Sequence, residues 1–121
     1  MKMKFILKLE LLVFLIIFIL LIKILGQRYE RGPIIFIISP LNKTYRVKNI
    51  ILNVSFNETI FRAADSFDNG QKIVECYNCK GYIRYDLKFD DGVHTIRVYA
   101  TDYKNNTRSA SVTFSVKTEK P

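Results

Sequence analysis

Val93-His-Thr-Ile-Arg-Val-Tyr-Ala-Thr-Asp102 decides the fold. His94, Ile96, Val98 and Ala100 fall on one side of an extended chain, and Thr95, Arg97, Tyr99 and Thr101 fall on the other. Strict alternation over this length has the period of a strand with one buried face, and it excludes a helix here. Downstream, after Lys104-Asn-Asn106, a second alternating run carries Ala110, Val112, Phe114 and Val116 inward. Upstream, Tyr82 to Phe89 sets Ile83, Tyr85, Leu87 and Phe89 against Arg84, Asp86 and Lys88, and closes at Asp90-Asp-Gly92, a turn signal.

The same grammar continues toward the amino terminus. Ile34 to Ser39 is an apolar run stopped by Pro40, and Asn49 to Phe56 places Ile50, Leu52, Val54 and Phe56 on one face. A third strand is predicted over Ile60 to Ser66, ending at Phe67-Asp-Asn-Gly70, where Asn69-Gly70 is a strong hairpin signal. A fourth, Gln71 to Glu75, leads into a loop that contains the two cysteines. The expectation is therefore all-β: seven short antiparallel strands in two sheets stacked as a β-sandwich over residues 33–117, with 118–121 as a tail.

Residues 1–26 differ in kind. Leu11 to Ile22 is unbroken apolar sequence, and its extension from Phe5 to Leu25 gives about 21 residues, or about 31 Å of helix. Lys8 and Lys23 lie near its ends. This predicts a single transmembrane helix, a retained signal anchor, followed by a polar connector at 27–32. The competing reading is a cleaved leader, which would leave a secreted domain; its basic start suits that class, but no small-x-small cleavage pattern follows the core.

The chain has 121 residues, 19 Lys and Arg against 11 Asp and Glu, and a net charge of +8. Lys2, Lys4, Lys8 and Lys23 less Glu10 account for +3 of this, leaving +5 on the sandwich, where bases alternate with acids. No basic run with interleaved stacking aromatics is present, so nucleic acid is not an expected partner. Asn42-Lys-Thr44, Asn53-Val-Ser55, Asn57-Glu-Thr59 and Asn105-Asn-Thr107 are glycosylation sequons, making Asn42, Asn53, Asn57 and Asn105 candidate acceptors. Asn53 and Asn57 would stand about 13 Å apart on one face of a strand, which marks that face as the wet one. Together with the hydrophobic leader, the sequons point to a single-pass protein of the cell membrane, with its amino terminus inside and its domain exported.

Cys76-Tyr-Asn-Cys79 admits three readings. Thioredoxin-like chemistry needs the first thiol at a helix amino terminus, and zinc needs four ligands where this chain offers two thiolates and His94. The third reading is a disulfide pinning a loop, whose small ring contributes about 2 kcal/mol by chain entropy. Tyr77, Tyr82 and Tyr103 fall in predicted loops and form a candidate aromatic contact surface. No Ser, His and acid are spaced as a triad, and Asp90 and Asp91 sit in a tight turn as solvated carboxylates. No catalytic, metal or cofactor residue is assigned.

Ser39-Pro-Leu-Asn-Lys-Thr-Tyr45, Ser66-Phe-Asp-Asn-Gly70, Cys76-Tyr-Asn-Cys79 and especially Asp91-Gly-Val-His-Thr-Ile-Arg-Val-Tyr-Ala-Thr-Asp102 resemble the immunoglobulin-like modules of archaeal and bacterial cell-surface proteins. The resemblance covers about 33–116. It implies a non-enzymatic spacer, adhesion unit or binding module, with His94 buried and hydrogen-bonded to loop backbone. One copy, where such modules usually occur in tandem, favours a small accessory subunit that contacts a protein or glycan partner through its loops. Two other readings follow: a pilin-like filament subunit, and a thiol-disulfide active protein using the cysteine pair.

Overall fold

The structure is a computed structural model that describes residues 2–28 and 32–119, with the helical side chains described from Lys8 to Ile24. The chain divides into two compact units, Met1–Arg31 and Gly32–Pro121. The first contains one helix, α1 (Lys2–Arg28). Its side chains from Leu9 to Ile24 are exposed and apolar on every side of the helix, apart from Glu10 and Lys23. Among the described residues, however, no helix is long and apolar enough to cross a membrane. The described side chains of α1, Lys8 to Ile24, include the charged Lys8, Glu10 and Lys23. This overturns the expected single-pass location in the cell membrane. The extension of the apolar run through Phe5 and Leu25 lies outside the described side chains, as do parts of the expected connector and tail.

The second unit has six strands: β1 (Ile35–Ser39), β2 (Thr44–Tyr45), β3 (Asn49–Phe67), β4 (Ile73–Lys88), β5 (Gly92–Thr101) and β6 (Thr107–Val116). Six replaces the expected seven for two reasons. The predicted second and third strands are one 19-residue strand, and the fourth, the cysteine loop and the fifth are one 16-residue strand. Residues 57–59 hold no Gly or Pro to make a turn, so the chain bends there without leaving the ladder. A short strand, β2, was not anticipated; it runs parallel to Ser115–Val116.

The bend in β3 makes the sandwich. Its first half pairs with β1 and with the end of β4, through Val54↔Ile37 and Val54↔Tyr82. Its second half pairs with β5 and the start of β4, through Ala63↔Ala100 and Ala63↔Cys76. The register slips between Ser55/Gly81 and Ile60/Cys79, where β3 uses more residues than β4. The sheet order β1-β3-β5-β6-β2, with β4 on β3, is thus one sheet curled over onto itself. Gly81 lies at this corner, and a Cβ there would stand 2.6 Å from the Val54 carbonyl oxygen, so only glycine permits the approach.

Between the layers Leu52, Phe56, Ile60, Ile96, Val98, Ala100 and Phe114 form one buried cluster. Apart from Ile60, whose facing alternation did not give, these belong to the inward sets expected for β3, β5 and β6. The other side of the first layer is less wet than expected: Phe36, Ile51 and Ile83 are exposed there beside Asn53 and Ser55. The turn from β3 to β4 is also displaced by one residue. Gly70 N–H donates to the Phe67 carbonyl at 2.8 Å, and Asp68 and Asn69, with φ 51° and 60°, are the central pair of a type I′ turn.

Candidate functional site

Cys76 and Cys79 both lie in β4, not in a loop. In a regular strand, residues three apart point to opposite faces with Cα atoms about 10 Å apart. Here Asn78 takes a left-handed conformation, φ 50°, which kinks the segment and brings the two Cα atoms to 6.2 Å. A disulfide joins them. Asparagine suits this conformation better than most side chains. Pairing keeps one register through the kink, by Tyr77↔Arg62 and Cys79↔Ile60. The half-buried sulfurs pack on the core, and Tyr77 and Asn78 face outward at the tip.

Tyr77 is one corner of an aromatic cluster. The Phe61 ring lies 6.0 Å from Tyr77 and 5.8 Å from Tyr103, both edge-on, with interplanar angles of 72° and 65°. The Tyr103 hydroxyl donates to Asn78 Oδ1, tying the β5–β6 turn to the kink at the cysteines. That turn is held by Asp102, whose Oδ1 accepts from the backbone N–H of Lys104 at 3.0 Å and of Asn106 at 2.8 Å. The backbone bond from Asn106 holds the Asp102 carboxyl below the usual range. Phe61, Tyr77 and Tyr103 are 45%, 61% and 62% exposed, although each is fixed by neighbours.

Of the three tyrosines expected to act together, the structure joins Tyr77 and Tyr103 and places Tyr82 elsewhere. Tyr82 belongs to the layer opposite Asp65; its ring packs on Phe56, and its hydroxyl donates to Asp65 Oδ2 at 2.9 Å. Sequence reasoning missed Phe61, because the alternation of β3 breaks at the bend just before it. It also missed Asp65, which is fully buried. Counting back by twos from the inward Phe67 would have placed Asp65 inward.

Asp65 begins a polar string that runs from the core to solvent. Arg84 donates to Glu75 at 2.8 Å and forms two bonds to Asp86, at 2.8 and 3.0 Å. Burial, reinforced by the Glu75 carboxylate, pushes Asp65 up to about 7 against the opposing pull of the Tyr82 hydrogen bond and Arg84. Asp65 Oδ1 has no donor when ionised. Protonation would turn Asp65 into a donor and remove its repulsion with the Glu75 carboxylate.

His94 bridges two turns at the other end. Nδ1 lies 2.6 Å from Asp68 Oδ2, and Nε2 lies 2.6 Å from the Asp90 carbonyl. Both neighbours only accept, so the ring satisfies both as an imidazolium. Burial works against that charge, but the Asp68 and Asp90 bonds outweigh it and hold His94 above its ordinary value.

The four sequon asparagines do not converge. Asn42 is exposed between β1 and β2, Asn53 is half-buried opposite Ile83, and Asn105 is exposed in a left-handed turn with φ 66°. Asn57 is exposed, but its Oδ1 accepts from the Ile34 N–H at 2.8 Å. Among the described residues no three His, Cys, Asp or Glu side chains are grouped to hold a metal. A concavity of about 120 Å³ beside Pro33, Ile35 and Arg108 is well below the roughly 300 Å³ of a small-molecule site.

No protein-family profile matches the chain, and no curated protein matches it. Solved structures do. An engineered protein aligns over 71% of this chain and 20% of its own, at 13% identity and TM-score 0.55. CopC from Methylosinus trichosporium OB3b aligns over 69% of this chain and 94% of its own, at 9% identity and TM-score 0.52. The domain is a β-sandwich. Fibronectin(III)-like modules of Clostridium thermocellum CbhA also align, over 69% of this chain and 96% of theirs, at 22% identity and TM-score 0.48. The matched part of this chain spans one fifth of the engineered protein. The likenesses to the engineered protein and to CopC carry the sandwich fold, whereas the resemblance to cell-surface modules is one of sequence alone.

Proposed function

We propose that this β-sandwich is a non-enzymatic binding module that holds a glycan partner against Phe61, Tyr77 and Tyr103. The observation that carries this reading is the cluster itself: three exposed rings on two strands and a turn, immobilised by a disulfide, a side-chain hydrogen bond and a capped turn. Exposed aromatics lose little rotamer entropy on binding, and tyrosine joins an apolar face to a polar tip. Sugar rings offer the complementary pattern, an apolar C–H face rimmed by hydroxyls. Rings presented outward from strands and a turn suit recognition of a chain lying along the surface. An adhesive or accessory role would follow from such binding.

The test compares the full chain with a Tyr77→Ala, Tyr103→Ala variant on a panel of immobilised polysaccharides. We expect the variant to lose at least tenfold in Kd for whichever polysaccharide the full chain retains. Undiminished binding by the variant overturns the reading.

A further inference from the structure

The outer face of the second layer has a charge pattern that the aromatic cluster does not use. In β3 and β5 the outward rungs are Arg62↔Thr101, Ala64↔Tyr99 and Ser66↔Arg97, spaced by about 6.6 Å. Lys72 extends over the middle rung, with Nζ 4.0 Å from the Tyr99 ring centroid. Arg97, Lys72 and Arg62 therefore form a row about 13 Å long down the face. All three are exposed, and among the described residues none has an acidic partner. At the far end, Arg62 is the register partner of Tyr77, so the row runs into the aromatic cluster.

No outward rung of β3, β5 or β6 on this face carries Asp or Glu. The nearby carboxylates are engaged elsewhere: Asp65 faces the core, Glu75 binds Arg84, Asp68 binds His94, and Asp102 caps its own turn. The flank of the row is hydroxyl-bearing, with Ser109, Ser111 and Thr113 exposed on β6. The face is thus cationic, with exposed hydroxyls along its β6 flank, whereas Ala64, Ser66 and Thr101 on its rungs are covered.

We infer that this face binds an acidic polysaccharide, whose carboxylates or sulfates lie along Arg97, Lys72 and Arg62 and whose sugar rings reach Tyr77 and Tyr103. The inference rests on the glycan-binding reading above and specifies the substrate class. Charge complementarity selects a polyanion, and the spacing of the rungs is comparable with the repeat of an extended polysaccharide. Single-stranded nucleic acid fits less well, since it uses successive open ring faces for stacking. Here Lys72 already covers Tyr99, and the three clustered rings pack edge-on. An acidic peptide would gain main-chain hydrogen bonds at a strand edge, whereas the row lies on a face.

The experiment uses the full chain with polygalacturonate, neutral dextran, oligo(dT) and polyglutamate. We expect polygalacturonate to bind at least tenfold tighter than the other three, and to be released by salt. Arg62→Gln, Lys72→Gln and Arg97→Gln together should weaken it about 30-fold, at about threefold per exposed ion contact. Arg46→Gln, Lys88→Gln and Lys117→Gln together, exposed cations elsewhere, should change it less than threefold, with both variants melting as the parent does. Equal losses in the two triple variants overturn the inference, because net charge alone would then explain binding. Equal or tighter binding of oligo(dT) or polyglutamate also overturns it. Dextran binding that depends on Tyr77 and Tyr103 but ignores the three cations refutes the acidic specificity and leaves the module reading standing, whereas no polysaccharide binding at all removes both.

Discussion

Replacing Asp65 with Asn should stabilise the domain at alkaline pH and leave it nearly unchanged in acid. Asp65 is fully buried, and its carboxyl lies at about 7 in the fold against 3.8 in an unperturbed chain. At about 1.4 kcal/mol per pH unit, that gap makes ionisation cost up to about 4 kcal/mol more in the folded protein. Proton sharing with Glu75 and local relaxation should reduce the measured figure to about 2 kcal/mol. The sign follows from proton counts. Between 3.8 and about 7 the folded state holds the proton more tightly than the unfolded chain, so this contribution to stability falls as pH rises through that window. Below the window there is no penalty, and above it the penalty is complete.

The introduced asparagine would accept from the Tyr82 hydroxyl as Asp65 does, and its amide would present a permanent donor toward Glu75. The chain has no tryptophan, so urea unfolding would be followed by far-ultraviolet circular dichroism and tyrosine fluorescence. At pH 8 we expect Asp65→Asn to gain about 2 kcal/mol, or about 10 °C in Tm for a domain of this size. At pH 4 the difference should be close to zero. His94 titrates in both proteins and cancels in the comparison, provided the two sites are independent. A variant no more stable than the parent at pH 8, or a difference that does not change with pH, refutes the account of Asp65 as a buried acid kept neutral.

Other expectations concern the two fastened ends of the sandwich. His94 is the one histidine, so its imidazole resonances can be followed directly by NMR; their midpoint should lie above 6.5, and a midpoint at or below that value contradicts the two-acceptor bridge. Stability from this bridge is present below 6.5 and is lost as pH rises through the elevated value, so His94→Gln should cost about 1 to 2 kcal/mol at pH 6 and less at pH 9. Replacing Cys76 and Cys79 with Ser should cost about 2 kcal/mol in denaturant unfolding, as for a small closed ring. A loss below about 0.5 kcal/mol would show that the kink holds its shape without the bond.

Much of the β architecture is visible in residue alternation. Ile96, Val98 and Ala100 point inward as their spacing demands, and Phe114 and Val116 close over them. What alternation could not show is continuity. Breaks in period around Asn57 to Thr59 and at Cys76 to Cys79 look like loops, yet the backbone passes through each as an irregularity inside a ladder, because partners continue on both sides. The candidate site suffered from the same blindness. Tyr77 and Tyr103 were visible as aromatics near turns, but Phe61 follows a bend that alternation cannot phase, and Tyr82 was assigned to a loop that does not exist. Hydropathy gave the apolar character of α1, but among the described residues no helix is long and apolar enough to bear out the membrane span read from it. The cation row required the register of β3 against β5 and the placement of Lys72 over Tyr99, which no single run contains.

The bent β3 also shapes how the chain acquires its fold. In many sandwiches each layer is built from separate strands, and the two meet only after long stretches of chain have closed between them. Here β3 and β4 form one hairpin, closed by the four-residue turn Phe67–Gly70, and that hairpin contributes two adjacent strands to each layer. Closing a single tight turn therefore commits the order and facing of both layers at once, with little chain entropy lost. The remaining strands add to edges that already exist: β5 to one end of the hairpin and β1 to the other, with β6 following β5. Topology that usually slows β-proteins through distant contacts is here written largely into neighbouring sequence.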